Sequence, residues 1–201
     1  MIKSFICRVL LALAILLPAA NAMSEDISFD YLQIAYISST VDLGDSIDEV
    51  EVDGNGIGFT LSLSFEPAFA MRLAVASTTF DTFQGMGVDT SKTTTLGVTA
   101  HTSIASGTDI FGNLSIVKAE ITKTDGSDTD IGGVVDIGVR HRFTEVFEVG
   151  LGASKMYVFD SAVNTYEVNT RFYFHRAGSV GLGYTVSDDV RTLILNARVD
   201  I

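Results

Sequence analysis

The chain has 201 residues, with 13 Lys and Arg against 25 Asp and Glu, 18 Gly, 2 Pro, 1 Cys and no Trp. A formal charge of −12 removes the basic footprint of a nucleic-acid binder, and 47% hydrophobic content removes a mainly disordered chain. One cysteine makes neither a disulfide framework nor a thiolate metal cage, which leaves one domain, rich in glycine and in strand formers.

Residues 1–22 read as an export signal. Lys3 and Arg8 supply the positive start, Val9 to Leu17 the apolar core, and Ala20-Asn21-Ala22 the small-x-small cleavage site. The apolar run is shorter than the roughly 20 residues of a spanning helix. Cys7 lies ahead of that core rather than at a cleavage point, so it is not placed as a lipoprotein anchor. The chain from Met23 on, residues 23–201, is then one domain without cysteine, which suits an oxidising compartment.

Beyond the leader the apolar residues alternate. Ile57, Phe59, Leu61, Leu63 and Phe65 are separated by Gly58, Thr60, Ser62 and Ser64, a period of two rather than 3.6. The pattern recurs at Leu96, Val98 and Ala100, at Val135, Ile137 and Val139, and at Tyr166, Val168, Thr170 and Phe172. It closes the chain with Leu193, Leu195, Ala197, Val199 and Ile201. Alternation and turn residues together predict ten strands, near 28–41, 55–65, 70–81, 94–104, 109–121, 131–143, 147–159, 164–175, 179–187 and 191–201. Short connections follow the even strands and mostly longer, acidic or polar ones the odd strands. That asymmetry is the one expected of an all-β antiparallel transmembrane barrel with both termini on the short-turn side. An eight-stranded barrel would require two hairpins to merge, and a soluble β-sandwich is the other reading of the period.

Charge on the small-residue face decides between lipid outside and a greasy interior. That face holds Glu66, Arg72, Asp136, Arg140, Arg142, Glu148, Glu167, Arg171, Arg198 and Asp200, too much charge for a dry soluble core. Turning it outward would put arginines in lipid at about 2–4 kcal/mol each near the midplane. The apolar face is therefore expected outside, with Tyr36, Phe65, Phe69, Phe143, Phe147, Tyr157, Phe159 and Phe174 in interfacial girdles and Lys155 at the outer one.

The opening run Tyr31-Leu32-Gln33-Ile34-Ala35-Tyr36, the step Gly138-Val139-Arg140 and the apolar last residue resemble the small Gram-negative outer-membrane β-barrel proteins, OmpA-like in superfamily. The likeness covers nearly the whole chain after the leader and implies an outer-membrane barrel of porin-family type. That family usually ends in Phe or Trp, read by the barrel-assembly machinery, whereas this chain ends Val199-Asp200-Ile201. Expected partners are outer-membrane lipid and lipopolysaccharide, and the assembly machinery through the last strand. The barrel is expected as a monomer without nucleic acid, and no peptidoglycan-binding domain is expected after residue 201.

The inward charges admit two uses: ion pairs that fill the lumen, or charged rings along a narrow pore for small solutes. Their balance of cations and carboxylates favours the plugged lumen, in a non-enzymatic barrel that supports envelope integrity or displays its loops. Barrel enzymes of the omptin, deacylase or palmitoyl-transferase kind need a histidine near the outer rim. Here His141 and His175 fall beside short turns and His101 well down its strand. Asp188 and Asp189 have no histidine partner and read as a solvated turn. No catalytic, metal or cofactor residue is assigned. Asp42, Asp45, Asp48, Glu49, Glu51 and Asp53 form an acidic surface loop, and Asp125, Asp128 and Asp130 a second acidic tip. Neither matches a calcium-loop spacing.

Overall fold

A computed structural model describes residues 27–42, 51–81, 90–123 and 125–201, so the proposed leader, residues 1–22, lies outside the described residues. The alternating segments form β1 (Tyr31–Asp42), β2 (Glu51–Glu66), β3 (Phe69–Phe80), β4 (Thr90–Ala105) and β5 (Thr108–Lys123). They continue as β6 (Gly126–Thr144), β7 (Phe147–Val158), β8 (Ser161–Tyr173), β9 (Gly178–Val186) and β10 (Val190–Asp200). Every strand pairs antiparallel with its chain neighbour, and β10 returns to β1 in register from Tyr31 opposite Asp200 to Val41 opposite Val190. The sheet is a closed ten-stranded barrel, which satisfies the edge groups that an open sheet would leave unpaired.

The barrel is inside-out relative to a soluble protein. Ile57 is 72% exposed and Ile131 69%, whereas Glu148 and Ser62 are each 1% exposed. A one-residue register slip would exchange those faces, so the period of two specifies the register as well as the fold. Glycine makes room on the inner wall at two crowded places. A Cβ on Gly138 would stand 2.4 Å from the Phe111 ring, and one on Gly181 would stand 2.8 Å from Asn196 Oδ1.

The two ends of the barrel are built differently. At the terminus end the hairpins turn tightly at Pro67-Ala68, Ser106-Gly107 and Glu145-Val146, with Gly107 in the left-handed region at φ 67°. Bulges interrupt these hairpins between Ser64 and Glu66, between Ser103 and Ala105, and between Arg142 and Thr144. Around this end Phe65 stacks with Phe69 at 6.2 Å, and Phe143 meets Phe147 at 6.1 Å. Tyr36 and Tyr157 lie farther along the exterior: Tyr36 donates to Asn55 at 2.6 Å, and Tyr157 carries Lys155 over its ring at 5.2 Å.

At the loop end the strands run on past the predicted boundaries. β2 begins at Glu51 and β6 at Gly126, so Asp53, Asp128 and Asp130 belong to strands rather than to flexible tips. At 19 residues β6 exceeds the roughly 9–11 that a tilted membrane strand needs, so its hairpin with β5 projects beyond the apolar belt. The β7–β8 connection is only Phe159-Asp160, both at positive φ, 51° and 55°. Phe159 therefore joins no exterior girdle: it packs inward against Val117, Ala119 and Val158.

Candidate functional site: the floor of the lumen

The segment before β1 does not extend the strand, as expected from residue 28, but turns into the barrel mouth. Ile27 and Phe29 are buried with Ala70 and Phe111. The Phe29 ring lies 3.7 Å from His101, stacked at 11°, and the Arg140 guanidinium sits over the same ring at 5.1 Å from its centroid. The Ser28 carbonyl accepts from Arg198 Nη2 at 2.7 Å and from Arg140 Nη1 at 3.2 Å, two arginines of different strands. The Asp30 carboxylate takes the Ser64 amide, and its carbonyl takes the Ile201 amide at 3.1 Å. One turn of chain is thus bonded to several sides of the wall.

Behind it lies a charged layer centred on Glu148. Its Oε1 accepts from Arg140 Nε at 2.9 Å and its Oε2 from the Tyr173 hydroxyl at 2.9 Å, with Arg142 Nε 4.0 Å away. The Arg142 guanidinium covers the Tyr173 ring at 4.0 Å, and Arg198 covers Tyr31 at 3.9 Å. Arg198 also pairs with Asp200 at 2.5 Å. Arg171 donates to Ser179 at 3.1 Å and to Gln33 at 2.9 Å. A buried charge is tolerable only with this density of partners, because its hydration has been given up. One step farther in, Arg72 stands 3.9 Å from Asp136, which also accepts from Asn113 at 2.6 Å. Glu167 faces the open lumen and accepts from Asn169 at 2.9 Å.

Glu66 departs from the expected set. It is exposed at the turn opposite Phe69, because the bulge after Ser64 inserts a residue and breaks the alternation that had pointed it inward. Asp109 stands inside instead: it is buried and accepts from Ser103 at 2.6 Å. The same parity that aligns Phe111, Asn113 and Ser115 inward would have found it. Tyr31 and Tyr173 were legible by parity as well, but the docking of Phe29 was not, since nothing local marks residues 27–30 as leaving the sheet.

The acidic loop is only partly described. Asp42 ends β1, Glu51 pairs with Arg191 at 3.2 Å, and Asp53 accepts from Thr40 at 2.9 Å; Asp45, Asp48 and Glu49 lie outside the described residues. Of the histidines, His101 is covered by Phe29, His141 is buried against Thr108 at 2.7 Å, and His175 lies in the turn before β9. Asp188 and Asp189 sit in the β9–β10 turn, where the Asp189 carbonyl accepts from the Asp42 amide at 2.8 Å. Among the described residues no group of three or more His, Cys, Asp or Glu is arranged to hold a metal ion.

No protein-family model matches the chain, and no curated protein matches its sequence. Among solved structures it is similar to outer-membrane β-barrel proteins. The KdgM porin is 7% identical over 84% of this chain and 99% of that one, with a TM-score of 0.43. An outer membrane channel from Pseudomonas putida F1 is 10% identical over 89% and 98%, with a TM-score of 0.43. Ail, the attachment invasion locus protein of Yersinia pestis, is 16% identical over 84% and 94%, with a TM-score of 0.37. At such distances the likeness is one of architecture alone.

Proposed function

We propose that the chain is a non-enzymatic outer-membrane barrel whose lumen is stopped at the periplasmic end, so that its outward hairpins and loops carry its role. A belt of exposed aliphatic side chains around a charged interior supports a bilayer location, since water would oppose that exterior and lipid would oppose that interior. The observation that carries the closed reading is the Ile27–Asp30 segment, seated in the mouth on Arg140 and Arg198. Support for envelope integrity or display of surface loops is the work left to a stopped barrel. Lipid and lipopolysaccharide are its proposed surroundings, with Lys155 beside Tyr157 suited to a lipid phosphate. Assembly through β10 by the barrel-assembly machinery and a monomeric state belong to the same proposal.

The test is single-channel conductance of the refolded chain in a planar bilayer, once a shift in gel mobility on boiling shows it folded. A silent membrane is expected. Discrete, reproducible steps would overturn the closed reading in favour of a narrow porin, the use that the wetted lumen above the floor would then serve.

A further inference from the structure

Above the Glu148 layer the lumen encloses a cavity of about 370 Å³. That lies at the lower end of the roughly 300–1,000 Å³ of small-molecule sites. Arg72, Arg140, Arg171 and Arg198 line it, against Asp136, Glu148 and Glu167. Water reaches it from the side away from the termini: the floor residues Arg198 and Glu148 are almost wholly buried, whereas Glu167 is exposed and the Arg72 side chain is 37% exposed, though both point inward.

The carboxylates here are largely committed. Glu148 is held by Arg140 and Tyr173, and Asp136 by Asn113 with Arg72 nearby. Two of the arginines, though paired, keep a donor to spare. Arg140 is nine-tenths buried, yet its Nη2 has no hydrogen-bond partner, and neither has the buried Nε of Arg72. The four arginines come from β3, β6, β8 and β10, so positive charge faces the cavity from several sides of the wall. Guanidinium donors hidden from bulk water and lacking an acceptor mark a place where an acceptor of negative charge would be favoured. Asn196, also on the cavity wall, leaves its buried amide oxygen without a donor, so an anion bearing a hydroxyl would satisfy both.

We propose that this cavity is a binding site for a small hydroxyl-bearing oxoanion, such as hydrogen phosphate or a phosphate ester, held by Arg72 and Arg140 with Asn196 accepting its hydroxyl. The site goes beyond the closed reading and does not require it. Isothermal titration of the refolded chain with sodium phosphate at low ionic strength, against sodium chloride as control, tests it. Saturable binding is expected, weakened at least tenfold by Arg72→Gln, partly kept by Arg72→Lys and unchanged by the exterior Lys155→Gln. Arg72 is the variant of choice because its ion pair is long and its side chain half wet, and the boiling shift checks that each variant is folded. Glycerol 3-phosphate binding more tightly than phosphate would assign an organic ester, and equal binding the free ion; either supports the site. No saturable binding to the folded barrel, or binding indifferent to Arg72→Gln, would overturn it. A conducting barrel that binds phosphate would sink only the closed reading, and a silent barrel that does not would sink only the site.

Discussion

The two ends of the lumen solve the same problem with opposite chemistry. At the terminus end the inner wall is a charged lattice of Arg140, Arg142, Arg171 and Arg198 around Glu148, with the rings of Phe29, Tyr31 and Tyr173 laid against its arginines. At the loop end, beneath the Phe159-Asp160 turn, it is an apolar patch of Val117, Ala119 and Val158 with Val134 and Met156. The patch is held by area and shape, so losing a methyl group costs little and the neighbours can shift. The lattice is held by pairing, so removing one member strands the rest. A charged floor is thus all-or-none, whereas an apolar wall degrades gradually.

The sharpest test of that contrast is Glu148→Gln, which keeps volume and removes the charge shared by Arg140 and Arg142. Breaking one side of a buried pair costs about 3–5 kcal/mol, so the urea midpoint of the boiling-sensitive form should fall steeply. A small change would mean that water, rather than Glu148, screens the floor. Next comes Phe29→Ala, which removes the ring that touches both His101 and Arg140 at an expected cost of about 3 kcal/mol. Conductance steps absent from the parent should appear with it. A folded, still silent variant would place the stopper in the arginine lattice alone. The smallest effect lies at the opposite end. Asp160→Gly relieves a left-handed residue at φ 55° and should raise stability by about 1 kcal/mol in the same urea titration. A loss instead would show that the Asp160 side chain holds the turn.

Much of this architecture was legible because a barrel wall is a local code. Leu61 beside Ser62 and Phe172 beside Arg171 state which face is which without knowledge of any neighbour, and ten such segments with turns between them state the strand number. The charged wall followed from the same parity, apart from Glu66, where the bulge after Ser64 broke the count. Loop lengths were overestimated at Gly126–Asp130, since polar residues that look like a tip can pair in a hairpin standing clear of the lipid.

By itself, then, the sequence determined the strands, their faces and the inside-out sense of the barrel, because alternation acts between adjacent residues. Which charges meet was decided only by the closed tertiary structure. Arg72 is brought to Asp136, and Arg140 and Arg198 to the Ser28 carbonyl, by the curvature of the wall across a lumen that no local spacing records. The inward turn of Ile27–Asp30 was decided in the same way. A short apolar segment leaves a strand only when a mouth of the right width, lined with donors for its carbonyl and a ring for its phenyl, already stands beside it.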